Sequence, residues 1–175
     1  MMLVDSQFTN NSATQNGGLM MNDGGSVTLL RSAVSGNSSS GASGNGAIYN
    51  FEADLDILDS TFSGNSATTN VGAVQNFNGT TNIANSVFAG NSATNTSGAV
   101  LNNAAGVMTI TNSTFSGNSA ASTAGALLNN GSSVLTITNS TIAGNSATSA
   151  GGIYNAGTLT ITNSIVWGNS SNALI

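Results

Sequence analysis

One short motif recurs along the whole 175-residue chain and constrains its fold more than any other feature. An apolar residue, most often Phe, is followed three positions later by Asn, and the motif returns every 24 to 28 residues. A period of about 20 to 50 residues is typical of solenoids, in which each repeat packs only on its neighbours. We therefore expect one solenoid domain over residues 1–175. The seven copies of the motif end at Asn11, Asn37, Asn65, Asn91, Asn118, Asn145 and Asn169.

Each repeat contains two further short stretches that alternate like half-buried strands. The first begins with a small residue and ends in Asn, and it occupies residues 18–22, 46–50, 72–76, 98–102, 125–129 and 151–155. The second has the form Leu-Thr-Ile-Thr, and it occupies residues 27–30, 55–58, 81–84, 108–111, 135–138 and 159–162. In the first stretch the third residue is always apolar and the fourth is mixed, so we expect the third to face the core and the fourth the solvent.

Together with the strand around each Phe, these stretches predict three short strands per repeat. A chain of this kind is an all-β parallel β-helix, or β-solenoid, of about seven coils. Gly and Asn interrupt the sequence about every ten residues, and no helical periodicity is sustained. Coils stacked at the strand spacing of about 4.8 Å would form a rod roughly 30 Å long.

The Asn that closes the Phe motif is present in all seven repeats. Asn tolerates a left-handed backbone better than other residues with a Cβ, so the simplest interpretation is a tight bend at each Asn. Stacked Asn side chains can also hydrogen-bond to one another along the axis, as they do in cross-β ladders.

The composition excludes several classes of partner. Only 4% of the residues are charged, with one Arg, no Lys and a net charge of −5, so binding to nucleic acid or to an anionic membrane surface lacks an electrostatic basis. No apolar run approaches the roughly 18 residues of a spanning helix, so we expect no membrane insertion. No basic segment precedes the apolar start of the chain, so secretion would require a leader that is already removed or a longer precursor.

The absence of His, Cys and Lys removes the usual nucleophile and base pairs, and we predict no catalytic residue and no cofactor. Arg31 is the obvious catalytic candidate. Its repeat position, however, is occupied by Asp5 one coil earlier and by Asp59 one coil later. We therefore interpret Asp5, Arg31 and Asp59 as a charge-paired structural ladder.

Three further acids lie close together in the third repeat. Glu52, Asp54 and Asp56, here called the acidic trio, alternate along one stretch and would share its outer face. Three carboxylates together with Asn and carbonyl oxygens would suit Ca²⁺, so the trio is a weak calcium candidate. A solvated acidic turn explains the same residues, and nothing indicates the separation or raised pKa of a hydrolase pair.

Paired threonines recur in the last three Leu-Thr-Ile-Thr stretches. They resemble the ice-binding face of β-solenoid antifreeze proteins, although Thr is also simply favoured on exposed strands. Earlier repeats interrupt the pattern with Leu, Asp, Asn or Ala. The pairs are Thr109 and Thr111, Thr136 and Thr138, and Thr160 and Thr162.

The Gly-Ala-Ile and Phe-x-x-Asn motifs resemble the passenger repeats of the polymorphic outer membrane protein family. The likeness covers almost all of the chain and rests on residues 45–48, 62–65, 115–118 and 151–154. It implies a right-handed parallel β-helix, an extracellular or cell-surface location and a role in adhesion to a surface or glycan partner. The fold also resembles that of pectin-degrading enzymes, but their catalytic constellations have no matching positions here.

We expect a structural protein that acts in adhesion or in head-to-tail self-assembly into filaments. The chain opens on an apolar strand and closes on another, and no cap is apparent at either end. We therefore predict contact of Met1 and Leu3 with Leu174 and Ile175 of another copy. The alternatives are a carbohydrate-binding or carbohydrate-active β-helix protein and an ice-binding protein.

Overall fold

The computed structural model describes residues 1–174 and shows an all-β parallel solenoid of about seven coils, which confirms the predicted fold class. The strands of successive coils pair in parallel along the whole rod. Residues 1–174 contain 26 strands and no helix, so none of them forms a helix long and apolar enough to cross a membrane.

The strands, numbered β1 to β26 along the chain, form four sheets along the rod, three of seven strands and one of five. Sheet 1 consists of β1 (Met2–Val4), β5 (Ser26–Leu30), β9 (Asp54–Leu58), β13 (Thr80–Ala84), β17 (Val107–Thr111), β21 (Val134–Thr138) and β24 (Thr158–Thr162). Sheet 2 consists of β2 (Gln7–Thr9), β6 (Ala33–Ser35), β10 (Thr61–Ser63), β14 (Val87–Ala89), β18 (Thr114–Ser116), β22 (Thr141–Ala143) and β25 (Ile165–Trp167).

Sheet 3 consists of β3 (Ser12–Ala13), β7 (Ser38–Ser39), β11 (Ser66–Ala67), β15 (Ser92–Ala93) and β19 (Ser119–Ala120). Sheet 4 consists of β4 (Met20–Asp23), β8 (Ile48–Phe51), β12 (Val74–Phe77), β16 (Val100–Asn103), β20 (Leu127–Asn129), β23 (Ala150–Asn155) and β26 (Asn172–Leu174). Sheets 1, 2 and 4 are the three predicted strands of each repeat. Sheet 3 was missed, because a two-residue strand is too short to show any alternation.

The core lies inside the coils and is built from stacked columns of apolar residues that repeat from coil to coil. Phe62, Phe88 and Phe115 are fully buried, and their ring centroids are 4.7 and 4.8 Å apart with nearly parallel planes. Sheet 1 contributes a parallel column that includes Ile57 and Ile83, which pair directly. Because every coil supplies the same column in the same register, each apolar side chain is covered by its equivalents above and below.

Close approach of the backbone explains the glycine that begins the first predicted stretch. A Cβ on Gly98 would lie 2.1 Å from the carbonyl oxygen of Gly125, which is too close for any side chain. The same contact recurs one coil earlier, where a Cβ on Gly72 would meet the carbonyl oxygen of Gly98 at 2.0 Å. Larger residues in this column would force the coils apart.

The outer face of sheet 4 differs from our expectation, because much of its mixed column is buried. Leu101 and Leu128 are 4% exposed and form a second, smaller cluster with Val71 and Ala124. The latter two belong to the segments that lead into sheet 4, which stack as single β-bridges beside it. Only Met21, in the first coil, is clearly exposed in the column, at 48%.

The tight bends also lie elsewhere than predicted. The residue before the conserved Asn has the positive φ, as at Gly117 with φ of 61°. A second line of bends joins sheet 1 to sheet 2 and has φ between 48° and 52° at Asp5, Arg31, Asp59, Asn85, Asn112, Asn139 and Asn163. The tight-bend interpretation of the motif Asn was therefore wrong by one residue.

Candidate functional site

The seven motif asparagines form a continuous ladder along the rod, here called the first asparagine ladder. Its five inner members are at most 1% exposed, whereas Asn11 is exposed and Asn169 is half-buried. Each Asn donates from Nδ2 to Oδ1 of the Asn in the next coil, at 2.8 to 3.0 Å. The same Oδ1 also accepts the backbone N–H of the donating residue.

Two further ladders were not identified from the sequence. The second asparagine ladder links Nδ2 to Oδ1 at 2.8 to 3.0 Å through Asn22, Asn50, Asn76, Asn102, Asn129 and Asn155. The serine ladder links backbone N–H to Oγ at 3.0 to 3.2 Å through Ser6, Ser32, Ser60, Ser86, Ser113, Ser140 and Ser164. Both columns keep one residue type in every repeat, which was the signal that could have revealed them.

Arg31 forms an ion pair on one side of its column. Its Nε and one terminal nitrogen donate to the two carboxylate oxygens of Asp5 at 2.8 and 2.9 Å. Asp59 instead accepts a hydrogen bond from Asn85 at 3.0 Å. The bonds from Arg31, and then its charge, hold the pKa of the Asp5 carboxyl below its usual range. Asp5, in turn, raises the pKa of Arg31.

This pair lines a shallow surface depression of about 310 Å³. The two side chains are 52% and 64% exposed, so water reaches both partners. An exposed, mutually neutralised pair in an open depression lacks the desolvation that gives catalytic charges their strength. Its geometry suits a surface brace between coils rather than a reaction centre.

The acidic trio is not gathered into one cluster in the part of the chain that the structure describes. Residues 1–174 contain no group of three acidic side chains close enough to hold an ion. Glu52 lies in a bend with φ of 50°, outside the strand. Asp56 points outward and accepts a bond of 3.4 Å from Asn82. The predicted shared face therefore brings only Asp54 and Asp56 onto one strand.

Three aromatic rings cluster on sheet 4, where they belong to β8 and β12. Phe51 and Phe77 are stacked with centroids 5.4 Å apart, and Tyr49 lies 5.8 and 6.4 Å from them. Burial raises the pKa of the Tyr49 hydroxyl, and the charges of Asp23 and Glu52 add to this effect.

The paired threonines form an in-register array on the outer face of sheet 1. Thr109 pairs with Thr136 and Thr136 with Thr160, and the second column aligns in the same way. All six are exposed or half-buried. The array is therefore about two threonines wide and three coils long, with rows separated by about 4.8 Å.

The start of the rod leaves its core partly uncovered, and we call this the N-terminal end surface. It is formed by β1 to β4, each of which pairs with a coil on one side within the described chain. Leu3, Phe8 and Met20 pack on the core but remain partly exposed. Beside them, Met1 and Met2 are 66% and 62% exposed.

The opposite face, the C-terminal end surface, is formed by β24, β25 and β26, which likewise pair on one side only within residues 1–174. Ile161 and Val166 continue the core columns and are partly exposed. Trp167 and Leu174 are 74% and 47% exposed. Of the predicted contact residues, Ile175 lies outside the described residues.

Comparison with protein-family models, with curated proteins and with solved structures finds no match for this chain.

Proposed function

We propose that this chain is a structural, non-catalytic β-solenoid of the cell surface or extracellular space that stacks end to end with further copies of itself. The observation that carries the proposal is that both end surfaces present open core columns beside one-sided edge strands. Unpaired edges of this kind template the addition of another chain. A contact between two different end surfaces is heterologous and does not close, so it generates filaments.

The register of the sheets determines which residues would meet. Leu3 belongs to the column that ends at Ile161, because Leu3 pairs with Leu29 and the column continues in register. Leu174 belongs to the column that begins at Met20. A second copy that continues the stack therefore packs Leu3 on Ile161 and Leu174 on Met20, rather than Leu3 on Leu174.

Low charge favours this association. The chain carries seven charged side chains among 175 residues. One of them, Asp5, lies in the first coil at the bend between sheets 1 and 2, and it is paired with Arg31. Neither end surface therefore presents a cluster of charges that would repel another copy. Burial of the exposed apolar side chains at the junction would supply the driving force.

A structural role also fits the chemistry of the exterior. No His, Cys or Lys is present, and the single Arg is held by a neighbouring coil. The resemblance to the repeats of polymorphic outer membrane proteins supports adhesion and a surface location, with a surface or glycan as the partner. A carbohydrate-active role has no comparable support, because the depression at Arg31 is shallow and its charges are paired.

Sedimentation velocity and electron microscopy of the 175-residue chain test this proposal. We expect concentration-dependent association into rods whose lengths are multiples of roughly 30 Å. Leu174→Lys should shift the chain toward single particles, because the charge would be buried at the junction. Thr109→Lys adds the same charge at mid-rod and should leave association unchanged. A parent chain that stays monomeric at high concentration would contradict the proposal.

The in-register threonine array favours a second candidate function, which is binding to ice or another ordered surface. Its rows repeat in register on the outer face of sheet 1, so hydroxyl and methyl groups are presented periodically. Thermal hysteresis and ice recrystallisation assays test it. Thr136→Asn, in the centre of the array, should abolish any activity, whereas Thr28→Asn, in the same column outside the array, should not. An inactive parent chain would eliminate this candidate.

A further inference from the structure

The three buried side-chain ladders all run in the same direction along the rod. In both asparagine ladders, every Nδ2 donates to the Oδ1 of the coil that follows in the sequence. In the serine ladder, every backbone N–H donates to the Oγ of the following coil. The inner rungs are buried, so the amide orientation cannot reverse at one rung without leaving two donors or two acceptors face to face.

The two end surfaces are consequently different in their hydrogen-bonding character. The N-terminal end surface presents the acceptors that begin the ladders, which are the side-chain oxygens of Asn11, Asn22 and Ser6. At the C-terminal end surface, the first asparagine ladder and the serine ladder end in donors, which are the side-chain amide of Asn169 and the backbone N–H of Ser164. The second asparagine ladder ends one coil earlier, at Asn155, because β26 pairs with β23 only as far as Leu174 opposite Ile153. Asn169 uses one amide hydrogen on the carbonyl of Ile142 at 2.9 Å, and its second is placed for the next rung.

The backbone edges alone do not choose between arrangements of two copies. An edge strand presents both N–H and C=O groups, so it can pair with a like edge or an unlike edge. Contact between two N-terminal end surfaces would bury acceptors against acceptors, and contact between two C-terminal end surfaces would bury donors against donors. Only unlike ends continue the first asparagine ladder and the serine ladder, and unsatisfied buried polar groups are costly.

Asn45, which is 5% exposed, donates back to Asn16, but its column continues as Val71 in the next coil and forms no ladder along the rod. Exposed columns also run in the opposite direction and do not affect this choice. Asn85 donates back to Asp59, and Asn163 donates back to Asn139. These amides are in contact with water, which can replace a lost partner. The direction of association is therefore controlled by the buried ladders.

We infer that association is polar: the N-terminal end surface of one copy docks in register on the C-terminal end surface of a second copy, and the first asparagine ladder and the serine ladder set the direction. The partner is another molecule of this same chain. This inference rests on the proposed function and adds to it the orientation, the register and the residues that decide them.

Cysteine crosslinking tests the orientation directly, because the natural chain contains no Cys. Met2 lies in the outward column that ends at Thr160. In a polar junction these two positions would be neighbours, with Cα atoms about 4.8 Å apart, within the range of about 4.4 to 6.8 Å that a disulfide spans. A mixture of Met2→Cys and Thr160→Cys should give a disulfide-linked dimer under mild oxidation, and neither variant alone should do so.

Thr136→Cys is the matched control, since it lies in the same column one coil further from the junction. Mixed with Met2→Cys, it should give no crosslink. Efficient crosslinking of Met2→Cys or Thr160→Cys with itself would overturn the inferred direction while leaving self-association intact. A parent chain that remains monomeric in sedimentation overturns both the inference and the proposed function.

The role of the ladder itself is tested at Asn169. Asn169→Asp keeps the oxygen that accepts from Asn145, but it replaces the junction donor with an acceptor and also loses the bond to the carbonyl of Ile142. The concentration needed for association should rise about tenfold or more. Thr158→Asp adds the same charge to the same end surface, in a column that already contains Asp54, and should have a smaller effect. Equal effects of the two variants would show that charge, and not the ladder, controls the junction.

Discussion

Truncation of one buried rung should destabilise the rod strongly, and Asn91 is the best rung to test. Its Oδ1 accepts the backbone N–H and the Nδ2 of Asn65, at 3.0 and 2.9 Å. Its Nδ2 donates to the carbonyl of Phe62 at 3.0 Å and to Asn118 Oδ1 at 2.9 Å. Asn91→Ala removes all four bonds from a position that is 0% exposed.

The expected loss follows from the groups left without partners. The backbone N–H of Asn65 loses its acceptor, and each of two neighbouring side-chain amides loses one bond. An unsatisfied buried polar group costs about 1–3 kcal/mol, and partial relaxation leaves a net loss of about 3–5 kcal/mol. For a chain of this length, 1 kcal/mol lowers the melting temperature by about 2–4 °C. The melting temperature of Asn91→Ala should therefore fall by about 10 °C.

Urea and thermal unfolding followed by circular dichroism measure this loss, with Asn11→Ala as the matched control. Asn11 belongs to the same ladder, but it is exposed and its side chain makes one bond, to Asn37. Its truncation should cost less than about 1 kcal/mol. If the two variants lose similar, small amounts of stability, the ladder contributes no more inside the rod than at its end, and the reasoning is refuted.

Three further outcomes are expected. Phe88→Ala should cost about 3–5 kcal/mol in urea unfolding, because it opens a cavity within the stacked rings, whereas Phe88→Ile, the residue type at Ile142 in the same column, should cost only about 1–2 kcal/mol. In Arg31→Gln the pKa of the Asp5 carboxyl should rise toward its usual range in an NMR titration. In the parent chain, the Asp5 carboxyl has a lower pKa in the folded state than in the unfolded state. The stability that the pair contributes is therefore present above the unfolded-state pKa, and it is lost as the pH falls through the folded-state pKa. Millimolar calcium should leave the melting temperature unchanged, since the acidic trio is not gathered into a site, and a rise would show binding to the folded chain.

The sequence by itself determined the fold class, the number of coils and most of the strands. These features depend on local patterns that repeat: alternation of apolar and polar residues sets which side of a strand faces the core. Repetition then makes every strand pair with its own copy, so a column read from the sequence is a column in space. The predicted stretches consequently match the strands of sheets 1 and 4 to within two residues at either end.

Only the tertiary structure decided what surrounds each column. Burial of Leu101 and Leu128 depends on a segment from neighbouring coils that stacks beside sheet 4, and no pattern within one repeat reports it. The bend falls on Gly117 rather than on Asn118, because the Asn side chain is turned inward to bond along the axis. The direction of the hydrogen bonds in each ladder is likewise a property of stacked coils. A single repeat contains an Asn, but whether its amide donates forward or backward is settled only when a second coil supplies the partner.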